Sequence, residues 1–187
     1  STKYMSLLIE SIRLLDGEYS NLFYHEQRML RSLRTLFNSE GRLKLETLLS
    51  QVEKPGKGLY KCRILYDDTS AEVEFVPYIQ KEIKSLQMVD GNGINYDHKY
   101  KNRAEIDKLF LKRNDCDDIL IIKDGMVTDT SYCNIVLKKN SAWYTPWPCL
   151  LAGTMRASLI QKDVISPAAI PKEDIYSFES FKLINAM

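Results

Sequence analysis

Cysteine and histidine are scarce in this chain. Its 187 residues include four cysteines (Cys62, Cys116, Cys133 and Cys149) and two histidines (His25 and His98). The cysteines are far apart without CxxC spacing, and neither histidine belongs to a ligand-spaced pair. A zinc site is therefore excluded, histidine-based metal catalysis is not expected, and the expected metal content is none. A disulfide framework is not expected either; four reduced thiols in a cytoplasmic protein are. Long apolar runs are missing, since none approaches the roughly 20 residues that cross a bilayer. No charged stretch followed by an apolar one opens the chain, so no signal peptide and no membrane partner are expected. An excess of one charge is missing too. The 26 Lys+Arg nearly balance the 25 Asp+Glu, leaving a net charge of +1, which argues against a general nucleic-acid binder. With 8 glycines and no heptads, collagen and coiled coil are excluded. The chemistry left to the chain is that of Lys, Asp/Glu, Arg, Ser/Thr or a cofactor.

What is present is a mixed pattern. Leu7 to Leu15 reads as a strand ending in an Asp16-Gly17 turn. Leu8, Glu10, Ile12 and Leu14 share one face, and Ile9, Ser11 and Arg13 the other. A polar residue on each face of an apolar strand suggests a border with a cavity or interface. Leu22 to Phe37 repeats apolar residues at helical spacing, with Arg31 opposite the apolar arc and Arg28 on its flank. Leu43 to Val52 reads as a second helix, and Tyr60–Tyr66 with Ala71–Tyr78 as a half-exposed hairpin. Lys84 to Asn95, ending in Asp90-Gly91-Asn92-Gly93, reads as a junction. It divides an α+β domain over residues 1–88 from an α/β domain over 89–187.

In the second part, a helix is expected near Arg103–Lys112 and strands at Asp118–Lys123 and Asn134–Leu137, with turns at Asp124-Gly125 and Asn140-Ser141. Thr145 to Pro148 reads as a rigid loop. A helix starting at Thr154, a proline-containing loop, a short helix near Glu173 and a strand at Phe181–Ile184 follow.

Three places carry more than structure. Gly153-Thr154 opens a helix after an apolar loop, where backbone amides favour an anion such as phosphate. Lys99 lies just beyond the junction, and in a cleft a lysine there becomes a nucleophile. Asp129 follows a glycine turn among Thr128, Thr130 and Ser131, where a hairpin-turn aspartate is the plainer reading.

In order, Arg28, Lys99, Asp129, Gly153-Thr154 and Asn185 resemble the class IV aminotransferase family. Its members are pyridoxal-phosphate (PLP) enzymes of fold type IV: branched-chain and D-amino-acid aminotransferases and aminodeoxychorismate lyases. The matching segments are Ile9-Glu10-Ser11-Ile12-Arg13 with Asp16-Gly17, then His25-Glu26-Gln27-Arg28-Met29 with Ser32, then Lys99 with Asn102-Arg103. The most specific is Val127-Thr128-Asp129-Thr130-Ser131 with Asn134-Ile135, continuing through Thr145-Pro146 to Leu151, Gly153 and Arg156. The resemblance spans residue 7 to the end. It implies an α+β, two-domain fold of the D-amino-acid aminotransferase type, with the N-terminal domain trimmed.

The resemblance also implies roles. Lys99 carries the cofactor on its amine and shuttles the Cα proton. Asp129 meets the pyridine nitrogen and keeps it protonated. Arg28 pairs with the phosphate. Gly153, Thr154, Met155 and Asn185 complete the phosphate site. Ser11 matches a strand position that bears a hydroxyl in the lyases, where it assists protonation of the leaving group. Three departures stand out. Asp129 replaces the usual, longer Glu. Thr154-Met155 replaces an Ile-Thr pair. The family's N-terminal hairpin, which precedes the strand beginning here near Met5, is missing.

The resemblance leaves two reactions open. One is the lyase reaction, which converts 4-amino-4-deoxychorismate to pyruvate and 4-aminobenzoate, a folate precursor. The other is amino transfer from D-, branched-chain or other amino acids, for which Arg13 and Arg156 are candidate carboxylate clamps. A non-catalytic binding module of the same fold is the third reading. A single-strand nucleic-acid reading through Lys81, Lys84, Lys99, Lys101 and Arg103 with Tyr96 and Tyr100 is weaker, for want of excess charge. The expected partners are a small amine or amino-acid substrate and a second copy of the chain, in a cytoplasmic homodimer.

Overall fold

A computed structural model describes residues 7–40 and 43–187; the strand start expected near Met5 lies outside them. The chain forms two compact units. One takes the chain up to Gln80, with His98–Asn102 and Ala186–Met187; the other takes Lys81–Asp97 and Arg103–Asn185. The division therefore falls before residue 88, where the sequence placed it. The reason is that Leu86–Asp90 is a strand of the second unit and not a junction.

The first unit is a four-stranded antiparallel sheet with two helices. Its strands are β1 (Leu8–Leu15), β2 (Glu18–Tyr19), β3 (Leu59–Tyr66) and β4 (Ala71–Pro77), in the order β2-β1-β3-β4. Alternation on β1 buries Leu8, Glu10, Ile12 and Leu14 on one face. Asp16 and Gly17 both take positive φ, as a two-residue hairpin turn requires. Helix α1 (Leu22–Phe37) ends at Asn38, whose left-handed backbone turns its amide back to the Arg34 carbonyl. Its buried residues, His25, Arg28, Met29, Ser32 and Leu33, follow helical spacing, so one stripe interleaves polar and apolar side chains. Arg31 is exposed, as expected. Helix α2 (Leu45–Ser50) is shorter than the pattern suggested and adds Leu45 and Leu49 to a core of Leu8, Ile12, Met29, Leu33, Cys62, Ile64 and Tyr66. Burying each of these large side chains stabilises the unit by about 1.5–3 kcal/mol.

The second unit holds a seven-stranded mixed sheet. Its strands are β5 (Leu86–Asp90), β6 (Asp118–Lys123), β7 (Met126–Thr130), β8 (Asn134–Lys139), β9 (Ala142–Pro146), β10 (Ser166–Ala168) and β11 (Ser180–Ile184). The path runs β10-β9-β8-β7-β6-β5, and β11 also pairs with β8. The β5–β6 and β9–β10 pairs are parallel; the rest are antiparallel. Asp124-Gly125 and Asn140-Ser141 have positive φ at both positions and close the β6–β7 and β8–β9 hairpins. Helix α3 (Ala104–Phe110) passes into a 3-10 turn, helix α4 is Thr154–Gln161, and the helix expected near Glu173 is a 3-10 segment, Lys172–Ser177. Leu120, Ile122, Val127, Ile135, Leu137 and Ile170 form a core cluster. Asp129 lies in β7, not in a turn, and Thr145-Pro146 ends β9 instead of forming a loop.

Candidate active site

The polar end of β7 organises the candidate residues of the second unit. Asp129 pairs across the ladder with Asn134 at the start of β8. Its Oδ1 accepts the Asn134 Nδ2 at 3.0 Å, and its Oδ2 accepts the Leu151 amide at 2.7 Å. Burial pushes the carboxyl up to about 6, against the opposing pull of those bonds and of the Arg156 charge. Asp129 is therefore mostly ionised at neutral pH, yet can hold a proton one step below it. Arg156 is anchored by Nη2 donating to the Pro146 carbonyl at 3.0 Å, with Trp147 beneath it. It is buried, which suits a strut with a long-range charge effect better than a substrate clamp.

Asn134 does more than meet Asp129. The same Nδ2 donates to the Leu151 carbonyl at 2.8 Å. Its Oδ1 lies so close to Gly153 that a Cβ built there would stand 2.1 Å away. Only glycine lets the chain pass the amide at this point. Gly153 then caps α4, its carbonyl accepting the Ala157 amide at 3.0 Å. The first turn of α4 holds no acidic side chain and no side-chain cap, and Thr154 is buried at its start beside half-buried Met155. Asn185 follows β11, whose Ile184 pairs with Asn134, and its Nδ2 reaches the Cys133 Sγ at 3.4 Å. Asp129 and Gly153 thus meet at one residue, Asn134, that the sequence quoted within a motif but gave no task; Thr154 and Met155 follow Gly153 in the chain, and Asn185 follows the Asn134 pairing partner Ile184.

Arg103, the last residue of the lysine motif, also acquires a role. Its Nη2 donates to the Ser131 carbonyl, and its guanidinium lies 4.0 Å from the Tyr132 ring centroid. It pins the loop between β7 and β8.

In the first unit, Arg28 is buried, and its partner is Glu10. The Arg28 Nε donates to Glu10 Oε1 at 2.9 Å and Nη2 to Oε2 at 2.5 Å, while His25 Nδ1 meets Oε2 at 2.7 Å. Burial alone would raise the Glu10 carboxyl, but Arg28 and His25 outweigh it and hold it at about 2. Burial lowers His25; the Glu10 bond opposes this, and the Arg28 and Lys99 charges add to it, so His25 is held below its ordinary value. Lys99 is half-buried, its carbonyl accepting the Ile9 amide at 2.9 Å, and Tyr100 bridges Leu8. Arg28 therefore shares one cluster with Glu10 and His25, and the Lys99 charge is felt at His25. Ser11 sits on the other face of β1, half-buried and opposite Arg63. Glu10 was visible in the sequence as a charge on an apolar face, but its partner was not.

A cavity of about 450 Å3, lined by Met88, Ile122, Lys172 and Tyr176 among others, includes none of these residues. Among the described residues no group of three or more His, Cys, Asp and Glu is placed to hold a metal, and no helix is long and apolar enough to cross a membrane.

The family model for amino-transferase class IV matches residues 7–187, so the chain belongs to the class IV aminotransferase family, and its fold is that family's. A Haemophilus influenzae protein of no assigned function is 36% identical over 183 residues, 96% of this chain and 97% of that one. The crystal structure of a Haemophilus somnus protein, provisionally named as a 4-amino-4-deoxychorismate lyase, superposes with a TM-score of 0.88 at 32% identity, covering 97% and 96% of the two chains. A Brucella abortus aminotransferase solved with PLP bound gives 0.76 at 18% identity, covering all of this chain and 79% of that one, a likeness of fold alone.

Two outcomes test this geometry. Gly153→Ala drives a methyl into the Asn134 amide and destabilises the protein by about 2 kcal/mol. In an Asn134→Ala background the same change costs less, so a double-mutant cycle by urea unfolding shows coupling. The second outcome concerns Asp129, whose folded-state pKa of about 6 exceeds its ordinary value of 3.8. The native state then binds more protons than the unfolded state between those values, so this carboxyl makes stability fall as pH rises through that window. Asp129→Asn removes that contribution, and the stability difference between variant and parent changes within the window and is flat above it.

Proposed function

We propose that this chain is a PLP-dependent lyase that converts 4-amino-4-deoxychorismate to 4-aminobenzoate and pyruvate. The observation that carries the cofactor part is the buried Asp129 carboxyl, held by Asn134 and the Leu151 amide next to the α4 start. The donor set fits the group. A buried carboxyl suits a pyridinium nitrogen, and a helix start free of acidic side chains suits a phosphate. Similarity to the H. somnus protein over nearly both whole chains supports the lyase over amino transfer.

Bound here, PLP supplies an electron sink for the bond broken beside the substrate amine. Asp129 holds the proton at the ring nitrogen. Lys99 attaches the cofactor through its amine and moves a proton at the substrate carbon. Thr154, Met155, Gly153, Asn185 and Arg28 hold the phosphate; Glu10 occupies two of the Arg28 donor atoms and fixes the direction of the guanidinium. The Ser11 hydroxyl protonates the departing pyruvate. The working form in this proposal is a homodimer in the cytoplasm.

The test is turnover of 4-amino-4-deoxychorismate by PLP-loaded protein. The expected result is release of 4-aminobenzoate and pyruvate in equal amounts, reduced about a thousandfold by Lys99→Ala. Amino transfer to a keto acid without pyruvate release would instead assign an aminotransferase. A protein with no turnover and no visible cofactor band would be the binding module.

A further inference from the structure

Ser131 is only 3% exposed, yet its hydroxyl has no hydrogen-bond partner. A buried hydroxyl left unsatisfied costs about 1–3 kcal/mol. Such groups are uncommon in folded proteins, and each calls for a reason. Local structure supplies none. The neighbouring Thr130 is fully used by the turn, its Oγ1 donating to the Cys133 carbonyl at 3.2 Å and accepting the Cys133 amide at 3.1 Å. The turn closes without the Ser131 hydroxyl.

The place of Ser131 supplies the reason. It is the first residue beyond β7, in the bend that leads to β8, two residues after Asp129. Its carbonyl is gripped by Arg103, which is itself packed on Tyr132. The hydroxyl is thus buried and unpaired on a backbone that Arg103 holds, two residues along the chain from the carboxyl assigned to the pyridine ring and 23 before the helix start assigned to the phosphate.

We infer that the Ser131 hydroxyl is a hydrogen-bonding contact of the pyridine ring of bound PLP. The inference rests on the cofactor reading above. On it, the apo protein carries an unsatisfied group that cofactor binding satisfies, which makes two effects of opposite sign.

Ser131→Ala separates them. PLP and pyridoxal, which lacks the phosphate, are each titrated into apo parent and variant by cofactor absorbance, and the apo thermal midpoints are compared. The expected result is a loss of about fivefold in affinity for both compounds, as for one neutral hydrogen bond, with an apo midpoint equal to or above the parent's. Unchanged affinity in the variant would overturn the inference while leaving the cofactor reading standing. So would a loss for PLP alone, which would move the contact to the phosphate, or a lowered apo midpoint, which would make the hydroxyl structural. A parent that binds neither compound would overturn the cofactor reading itself, and this inference with it.

Discussion

The hydrogen bond from Asn134 to Asp129 sets the geometry of the candidate residues in the second unit. A carboxyl removed from water must find donors or a proton. Asp129 finds the Asn134 amide on the facing strand and the Leu151 amide from the segment leading to α4. Because Asn134 also binds the Leu151 carbonyl, one side chain fixes the distance between the end of β7 and the start of α4. Gly153 is the corollary, since no side chain fits under that amide. The position of the Asp129 carboxyl and that of the helix start are therefore one decision, not two.

The first unit solves a similar problem with charge. Glu10 is fully buried on β1, and its ionisation is sustained by Arg28 and His25, both presented by the polar stripe of α1. A buried ion pair of this kind adds little net stability against an apolar alternative. What it adds is direction: the guanidinium is locked by two bonds to one carboxylate. Ser32 extends the stripe and accepts or donates at His98 Nδ1 at 3.0 Å, next in sequence to Lys99. The class IV family assignment rests on the match over residues 7–187, and these contacts give it a physical content in this chain.

Much of this was legible in the sequence where one local rule dominates. The helix Leu22–Phe37 and the strand Asp118–Lys123 stand where apolar periodicity and a continuous apolar run put them. The turns at Asp16-Gly17, Asp124-Gly125 and Asn140-Ser141 follow from residues that tolerate positive φ. Illegible were the elements whose reasons lie elsewhere in the chain. Strand β7 reads as a turn because Thr128, Asp129 and Thr130 are polar. They are buried because each has a partner, Thr128 on the Ile121 carbonyl, Asp129 on Asn134 and Thr130 on Cys133. Strand β5 was masked by the glycines that follow it, and β10 by Pro167, which a parallel partner at the end of the sheet path tolerates. Among site residues, Lys99, Asp129 and Gly153-Thr154 stood out by resemblance, whereas the tasks of Glu10, Asn134 and Arg103 needed the partners to be seen.

The proposed function requires PLP to be carried on Lys99. Borohydride reduction of PLP-loaded protein fixes the cofactor to whichever lysine holds it, and peptide mapping by mass spectrometry then reads the position. One pyridoxyl group per chain, on Lys99, is the expected result. Labelling spread over other lysines, or none at all, would contradict it.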